Sequence, residues 1–258
     1  MILLSFDIEE FDMPFEYGKE ISFEEQMSIS IAGTNKILDL LERHQIKATF
    51  FSTATFAMNA KSVIERIIQS GHEIASHNYY HTDFEVKHLK ESKDKLEELT
   101  GTNVIGFRMP RMYPVDEKEI QKAGYVYNSS INPTFLPGRY NHLDKPRKYF
   151  YQDQVLQIPA SVSPWVRFPL FWLSFHNLPM WIYKFLANWT YSKDGYLNIY
   201  LHPWEFTDLN QPEKFNFPGY VVKNSGDALV QRLDEFITHF KKKEKGFGTF
   251  KEFIETIR

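Results

Sequence analysis

Short apolar runs that alternate with amphipathic helical patterns constrain the fold of this chain more than any other feature of its sequence. Residues 2–7 are mostly apolar and predict a buried strand, and the apolar face that follows predicts a helix over about residues 24–44. The same unit recurs, and further strands are predicted at 48–53, 73–75, 104–107, 125–127, 155–158, 197–201 and 248–250. This alternation predicts a parallel α/β sheet, and the number of strands favours a distorted, incomplete TIM-like (β/α)7 barrel.

Length and composition limit the organisation and the partners of the chain. Its 258 residues contain no linker rich in Pro, Gly or Ser, so we expect a single domain over residues 1–258. The net charge of −3, with Lys and Arg dispersed, provides no basic surface, so no nucleic-acid partner is expected. The chain turns acidic at Asp7, too early for the apolar core of a secretory signal, which predicts a cytoplasmic protein.

Polar side chains follow several of the predicted strands. In a parallel barrel the carboxyl ends of the strands meet at one rim, so we expect these side chains to converge. The candidates are Asp7 and Glu9 after the first strand, His77 and His81 after the third, Arg108 after the fourth, and His202 after a late strand.

The chemistry of this set is that of a catalytic metal site. The chain has no Cys, so a metal ion must be bound by His and carboxylate groups. Two histidines four residues apart and one carboxylate supply three ligands and leave a position open for water. A second carboxylate can take a proton from that water, an arginine can hold this base ionised, and a histidine can protonate a leaving group. The pattern indicates a hydrolase.

These motifs together resemble the polysaccharide deacetylases of carbohydrate esterase family 4. Ser5-Phe6-Asp7-Ile8-Glu9 is similar to the first motif of the family, which implies that Asp7 is the base and Glu9 a metal ligand. The stretch from Ser76-His77 to His81 is similar to the second motif, which implies that both histidines bind the metal, most simply zinc.

The later motifs extend the resemblance. Phe107-Arg108-Met109-Pro110 is similar to the third motif, which implies that Arg108 positions the base and that the backbone amide of Arg111 contributes to an oxyanion hole. Tyr200-Leu201-His202-Pro203-Trp204-Glu205 is similar to the last motif, with His202 as the acid. On the same basis Arg111, Pro110 and Trp204 are expected to contact the substrate.

Two positions depart from the family pattern. Most members have Asp where this chain has Glu9, which leaves Glu10 and Asp12 as alternative ligands. Asn128 stands where an Asp usually supports the catalytic histidine, and an amide cannot stabilise a charged imidazole as a carboxylate does. The other histidines have no accompanying motif and are interpreted as structural or surface residues: His44, His72, His88, His142, His176 and His239.

The segment at about residues 164–192 is rich in aromatic residues and is interpreted as an insertion that packs over the barrel mouth. Two alternatives stay open: a lid whose aromatic side chains stack on sugar rings, and an apolar foot that makes peripheral contact with a membrane. Polar residues interrupt the segment, so it is too short in apolar length to span a bilayer.

The resemblance implies a metal-dependent hydrolase that removes acetyl groups, N-acetyl in particular, from an amino-sugar-containing polysaccharide, peptidoglycan or glycolipid precursor. The downstream motif is closest to bacterial members associated with exopolysaccharide and cell-wall sugar assembly. Two rival hypotheses are an amidohydrolase that acts on a non-sugar amide such as a ureide, and a catalytically silent carbohydrate-binding protein. The sequence leaves the oligomeric state open.

Overall fold

The computed structural model describes residues 1–138 and 140–257. The strands are β1 Ile2–Ile8, β2 Thr49–Ser52, β3 Glu73–Ser76, β4 Gly106–Phe107, β5 Tyr127–Asn128, β6 Phe135–Leu136, β7 Tyr140–Asn141, β8 Phe150–Gln152, β9 Val155–Gln157, β10 Leu197–Leu201 and β11 Phe247–Gly248. The α-helices are α1 Met13–Glu16, α2 Phe23–His44, α3 Ala54–Asn59, α4 Lys61–Gln69, α5 Lys87–Thr100, α6 Glu117–Lys122, α7 Trp172–Asn177, α8 Met180–Asp194, α9 Pro212–Phe215, α10 Gly219–Val222, α11 Asp227–Lys241 and α12 Phe250–Ile257. Two 3₁₀ helices cover Pro110–Met112 and Pro203–Phe206.

Seven parallel strands form one curled sheet in the order β10-β1-β2-β3-β4-β5-β9. Strand β8 extends the sheet antiparallel to β9, and β11 pairs with the start of β1. The short β6 and β7 form a separate antiparallel pair. The order confirms the predicted mixed α/β fold of the incomplete (β/α)7 barrel type.

The barrel is incomplete because, among the described strands, no ladder joins β9 to β10. The side chain of Asn198 in β10 connects the two edges instead. Its Nδ2 donates to the carbonyl oxygens of Ile158 and Pro159 at 3.0 Å each, and the backbone N–H of Asn198 donates to Ser161 Oγ at 2.9 Å. These bonds satisfy buried carbonyls that a strand would otherwise have paired.

The register of the sheet aligns the residues that matter for a site. Ile8, Ser52, Ser76 and Phe107 occupy matching positions in β1 to β4, so the residues that follow them leave the sheet at the same height. Leu201 of β10 pairs with Phe6, which brings the following residue level with the end of β1. The strand ends therefore form one rim.

The interior below this rim is closed by an aromatic floor. Phe250, at the start of α12, contacts the ring of Phe51 at a centroid distance of 5.4 Å and stacks on Tyr127 at 5.3 Å. The strand predicted at 248–250 ends at Gly248 because Thr249 begins a helix, with its hydroxyl accepting the N–H of Glu252. Helix α3 and the β6–β7 pair have no counterpart among the elements predicted from the sequence.

Candidate active site

The predicted residues meet in a cavity at the rim. Asp7, Glu9, His77, His81 and His202 all line it, together with aromatic and Met side chains from the surrounding loops. The two carboxylates are each 3% exposed and His77 is 2% exposed, so their charges are largely removed from water. Buried charges of this kind require close partners.

Three donor atoms converge at one point in the cavity. Glu9 Oε2 lies 3.1 Å from His77 Nε2 and 3.0 Å from His81 Nε2. His77 Nδ1 lies 2.8 Å from the carbonyl oxygen of Arg108, which can only accept, so Nδ1 carries the proton. His81 Nδ1 lies 2.8 Å from Asp12 Oδ1. The outer partners therefore hold both Nε2 atoms toward the Glu9 carboxylate, and once these nitrogens are deprotonated the three atoms are the donor set of a divalent metal site.

The electrostatics of this cluster favour a positive charge between the donors. Burial acts to raise the pKa of Glu9, but the charge of His81 and hydrogen bonds from His77 and His81 outweigh it and hold that pKa well below its usual range. Burial acts to lower the pKa of His81, but the charges of Glu9 and Asp12 raise it to about 10. Either protons or a cation must compensate these carboxylates.

The alternative ligands proposed from sequence lie elsewhere. Glu10 accepts a hydrogen bond from Thr53 Oγ1 at 2.5 Å, and burial raises its pKa. Asp12 reaches the outer nitrogen of His81 and lies 3.3 Å from the guanidinium of Arg111. Among the described acids, it is Glu9 that reaches the inner nitrogens of both histidines, so neither alternative is supported by the geometry.

Asp7 is held by Arg108, as the sequence predicted. Arg108 is fully buried, and its Nη1 donates to Asp7 Oδ1 at 2.6 Å. Its Nε and Nη2 donate to the carbonyl and the hydroxyl of Ser129, and the guanidinium lies 3.9 Å above the ring of Phe51. The guanidinium is thus fixed on the aromatic floor, and it fixes the carboxylate above it.

His202 faces Asp7 across the cavity. Its Nε2 lies 3.9 Å from Asp7 Oδ2. The ring stacks on Trp204 at a centroid distance of 4.9 Å and meets the edge of Trp172 at 5.7 Å. The two aromatic rings limit the imidazole to one orientation.

Two predictions about the support of His202 require correction. Asn128 donates to Gln157 Oε1 at 3.0 Å and accepts from the Ser130 hydroxyl, so its amide is committed elsewhere. Glu205 Oε1 instead lies 2.6 Å from His202 Nδ1, and Glu205 Oε2 lies 2.8 Å from His176 Nε2. His176 is among the histidines predicted to be structural or surface residues, and its contact with Glu205 is not predicted, because its position 26 residues upstream of His202 gives no local signal. The i, i+3 spacing of His202 and Glu205 is a signal that the sequence does contain.

The predicted substrate contacts occupy three different environments. Arg111 lines the cavity with a φ of 53°, a left-handed conformation that is uncommon outside glycine. Pro110 is buried, and its neighbours Met109 and Arg111 form the cavity wall. Trp204 is 3% exposed and donates its indole N–H to Glu9 Oε1 at 3.2 Å, so it holds the carboxylate of the cluster.

The aromatic segment divides into a buried and an exposed part. Trp172 is 6% exposed and lines the cavity beside His202, whereas Trp165 and Trp181 are 84% and 70% exposed. Trp165 contacts Trp189, which shares one face of α8 with Trp181 and the exposed Phe185. Within the described residues, no helix combines the length and the hydropathy needed to cross a bilayer.

Comparison with known proteins adds a family to this geometry. Residues 20–127 match the family model for polysaccharide deacetylases. The chain is similar to this family over that range, which is less than half of its length. The matched range contains His77, His81 and Arg108 of the site, whereas Asp7, Glu9 and His202 lie outside it.

Individual proteins with similar sequences cover parts of the chain. A peptidoglycan-N-acetylmuramic acid deacetylase of Bacillus subtilis is 28% identical over 134 residues, which are 48% of this chain and 50% of the relative. A chitooligosaccharide deacetylase of a Bradyrhizobium species is 35% identical over 81 residues, which are 31% of this chain and 36% of the relative. The chain thus spans half or less of the length of these two relatives.

A solved structure extends the likeness to the whole fold. A probable polysaccharide deacetylase from Pseudomonas aeruginosa superimposes with a TM-score of 0.69 at 18% identity, covering 98% of this chain and 88% of that one. At this identity the likeness concerns the fold alone.

Proposed function

We propose that residues 1–258 form one catalytic domain, a metal-dependent hydrolase that removes acetyl groups, most simply N-acetyl, from an amino-sugar-containing glycan or glycolipid precursor. The observation that carries the proposal is that His77 Nε2 and His81 Nε2 lie 3.1 and 3.0 Å from the same oxygen of Glu9. Asp7 and His202 face each other beside this cluster. Ligand set, base and acid are then present in one cavity.

The donor set fits zinc. Two imidazole nitrogens and one carboxylate oxygen are three ligands of the kinds that catalytic zinc takes, and all three residues line the cavity. A divalent cation held there supplies Lewis-acid chemistry, which polarises a carbonyl group and lowers the pKa of water. Glu9, His77 and His81 would hold the ion, and Trp204 would fix the second oxygen of Glu9.

The remaining side chains would move the protons. Asp7, oriented by Arg108 through one oxygen, would take a proton from the attacking water with the other. Burial acts to lower the pKa of His202, but its hydrogen bond to Glu205 and the charge of that carboxylate raise it. The protonated form of His202 would give its proton to the leaving amine from Nε2.

The relatives support an acetylated glycan as substrate. The two relatives described above are named for deacetylation of N-acetylmuramic acid in peptidoglycan and of chito-oligosaccharides. Both names indicate deacetylation of a sugar polymer, and the first names an N-acetyl sugar, which supports a glycan substrate.

Asp7→Asn tests the proposal. Because the amide cannot accept the proton, we expect turnover of acetylated chito-oligosaccharides to fall by at least about 100-fold, with zinc content by elemental analysis unchanged. Asp39→Asn makes the same change at an exposed residue paired with Arg66 and should leave turnover unaltered. A fully active Asp7 variant would contradict the mechanism, and a wild-type protein with bound metal and no turnover would indicate the silent carbohydrate-binding alternative.

We also propose that the exposed aromatic residues of the 164–192 segment make the peripheral membrane contact. Trp165, Trp181 and Phe185 present indole and phenyl rings to solvent, and such rings favour the interface of a bilayer. We expect Trp181→Ser combined with Trp165→Ser to reduce cosedimentation with phospholipid vesicles. Trp172 is unsuitable for this test because it is buried beside His202. Equal sedimentation of the double variant and the wild type would remove the membrane contact.

A further inference from the structure

A buried chain of hydrogen-bonding groups runs from the cavity to the aromatic segment. Glu205 lies between two imidazoles, with Oε1 2.6 Å from His202 Nδ1 and Oε2 2.8 Å from His176 Nε2. His176 Nδ1 continues the chain to the carbonyl oxygen of Lys223 at 2.8 Å. The side chains of Glu205 and His176 have no solvent exposure, and that of His202 is 14% exposed.

The chemistry of these contacts assigns their protons. The Lys223 carbonyl can only accept, so His176 Nδ1 carries a proton. The contact between His176 Nε2 and Glu205 Oε2 must contain a second proton, because a bare nitrogen facing a bare carboxylate oxygen would be repulsive. Burial acts to raise the pKa of Glu205, but hydrogen bonds from His176 and His202 outweigh it and lower that pKa. The proton in this contact joins His176 Nε2 to Glu205 Oε2 and holds the two buried side chains together.

The other oxygen of Glu205 determines the state of His202. Oε1 accepts the backbone N–H of His202 at 2.7 Å and lies 2.6 Å from its Nδ1. An ionised carboxylate can only accept, so the proton of neutral His202 is on Nδ1 and the lone pair is on Nε2. That nitrogen is the one that faces Asp7.

The elements that hold His176 are also anchored. Asn224 donates from Nδ2 to the carbonyl oxygen of His176 at 2.6 Å, and Arg232 of α11 donates twice to the carbonyl of Phe175, at 3.0 and 2.8 Å. The backbone carbonyl of Glu205 accepts the N–H of Gly226 at 2.9 Å. Helix α7 and the 3₁₀ helix at Pro203–Phe206 are thus both bonded to residues 224–232 of the chain.

We propose that Glu205 and His176 are the positioning residues of His202: Glu205 fixes the imidazole with its proton on Nδ1, and His176 holds Glu205 ionised from the opposite side. The catalytic consequence rests on the proposed function. When His202 gives the proton on Nε2 to the leaving nitrogen, Nδ1–H stays bonded to Glu205, and the imidazole returns to its neutral form without reorientation.

The charged groups around His202 give the direction of its pH dependence. Glu205 faces it from the 3₁₀ helix and Asp7 and Glu9 act on it from the β1 side, while Tyr200, Trp172 and Trp204 contribute uncharged rings. Removing the charge of Glu205 removes the first of these contributions and lowers the pKa of His202. The acid form is then lost at lower pH.

Glu205→Gln tests the proposal in the zinc-loaded protein. We expect kcat to fall roughly 100-fold with KM little changed, and the alkaline limb of the pH profile to move to lower pH. Adding Asn128→Asp should not restore kcat, because position 128 faces Gln157 and Ser130. Restoration by that second change would overturn the assignment.

His176→Gln keeps a donor toward Glu205 but loses the ring that also bonds to the Lys223 carbonyl, so we expect a smaller fall in kcat, roughly 10-fold. The matched control is His44→Gln, which makes the same replacement in a histidine–carboxylate pair with Asp234 and should leave kcat unaltered. A His176 variant with wild-type kcat and pH profile would overturn the role of His176.

A measurement without turnover separates this proposal from the proposed function. Long-range ¹H–¹⁵N spectra of the wild-type imidazoles should show neutral His202 protonated on Nδ1. A proton on Nε2 of neutral His202 would overturn the proposal whether or not any variant folds. A protein inactive on every acetylated glycan, but with the expected tautomer, would refute the proposed function alone.

Discussion

The orientation of the candidate ligand His81 is controlled by a side chain outside the ligand set. Its Nε2 lies 3.0 Å from Glu9 and its Nδ1 lies 2.8 Å from Asp12, so the ring is held between two carboxylates. Asp12 is itself paired with Arg111, whose Nη1 donates to the carbonyl oxygen of His81 at 3.2 Å. The orientation of the ligand therefore depends on groups that never touch the ion.

Asp12→Asn should weaken the cluster without removing a ligand. The amide keeps the shape of the side chain and loses the charge that makes His81 a strong donor, so we expect zinc affinity to fall roughly 10-fold or more in competition with a chelator. Glu10→Gln is the matched control, because Glu10 is an adjacent buried acid that bonds to Thr53. Equal affinities for the two variants would show that Asp12 has no influence on the ligand.

Residue types and short spacings were sufficient to predict most of the site. Asp7 and Glu9 are separated by one residue, and His77 and His81 by four, so each pair is a local pattern. The link between His176 and Glu205 forms only when α7 packs on the loop before α11, which depends on tertiary contacts from Asn224 and Arg232. No spacing in the sequence encodes such a contact.

At the scale of elements, α2 sets the position of the loop that carries His202. Gly33, in the middle of α2, lies against the backbone of Pro203, and a Cβ atom added there would stand 1.8 Å from the Pro203 carbonyl oxygen. Helix and 3₁₀ turn therefore approach more closely than any side chain at position 33 permits.

Gly33→Ala should displace this turn. Alanine normally favours a helix, but here the added methyl group must push α2 or Pro203 away, and we expect a loss of about 1–3 kcal/mol in the free energy of unfolding together with reduced turnover. Gly219→Ala in α10 is the control, because a Cβ atom there meets nothing within 4 Å. Denaturant titration and kcat measure both effects; a Gly33 variant as stable and active as the control would contradict the close approach.

At the scale of the whole molecule, His72 makes stability depend on pH. Its Nδ1 accepts the backbone N–H of Ala48 at 3.2 Å, so that nitrogen carries no proton and the ring is neutral. Burial, with the charges of Lys47 and Arg66, lowers its pKa from 6.5 to about 4. The unfolded chain binds a proton below pH 6.5 and the folded chain only near pH 4, so stability falls as the pH decreases through this range.

His72→Gln should make the unfolding free energy less dependent on pH between 6.5 and 4. Over this pH range the pH-dependent change in the unfolding free energy of the two proteins should differ by less than about 3 kcal/mol, because the ring keeps some contact with water. Denaturant titrations of the variant and the wild type at several pH values measure it. Parallel curves for the two proteins would contradict the burial of a neutral ring.

The alternating strand–helix units of the fold were predictable from the sequence, and the closure of the barrel was less so. Alternating strands and helices indicated the parallel sheet, because each unit carries its own periodicity. Closure depends on Asn198, whose side chain replaces a missing ladder, and on Phe250, whose ring packs on Phe51 and Tyr127. Both are single side chains whose partners lie far away along the chain.

The indole of Trp204 has a consequence for experiment. It bonds to the carboxylate of Glu9 and lies flat against His202, so the arrival of a cation changes the electric field at this fluorophore. Ultraviolet emission from the unlabelled protein should then follow metal loading directly, and titrations can be read optically before any substrate has been identified.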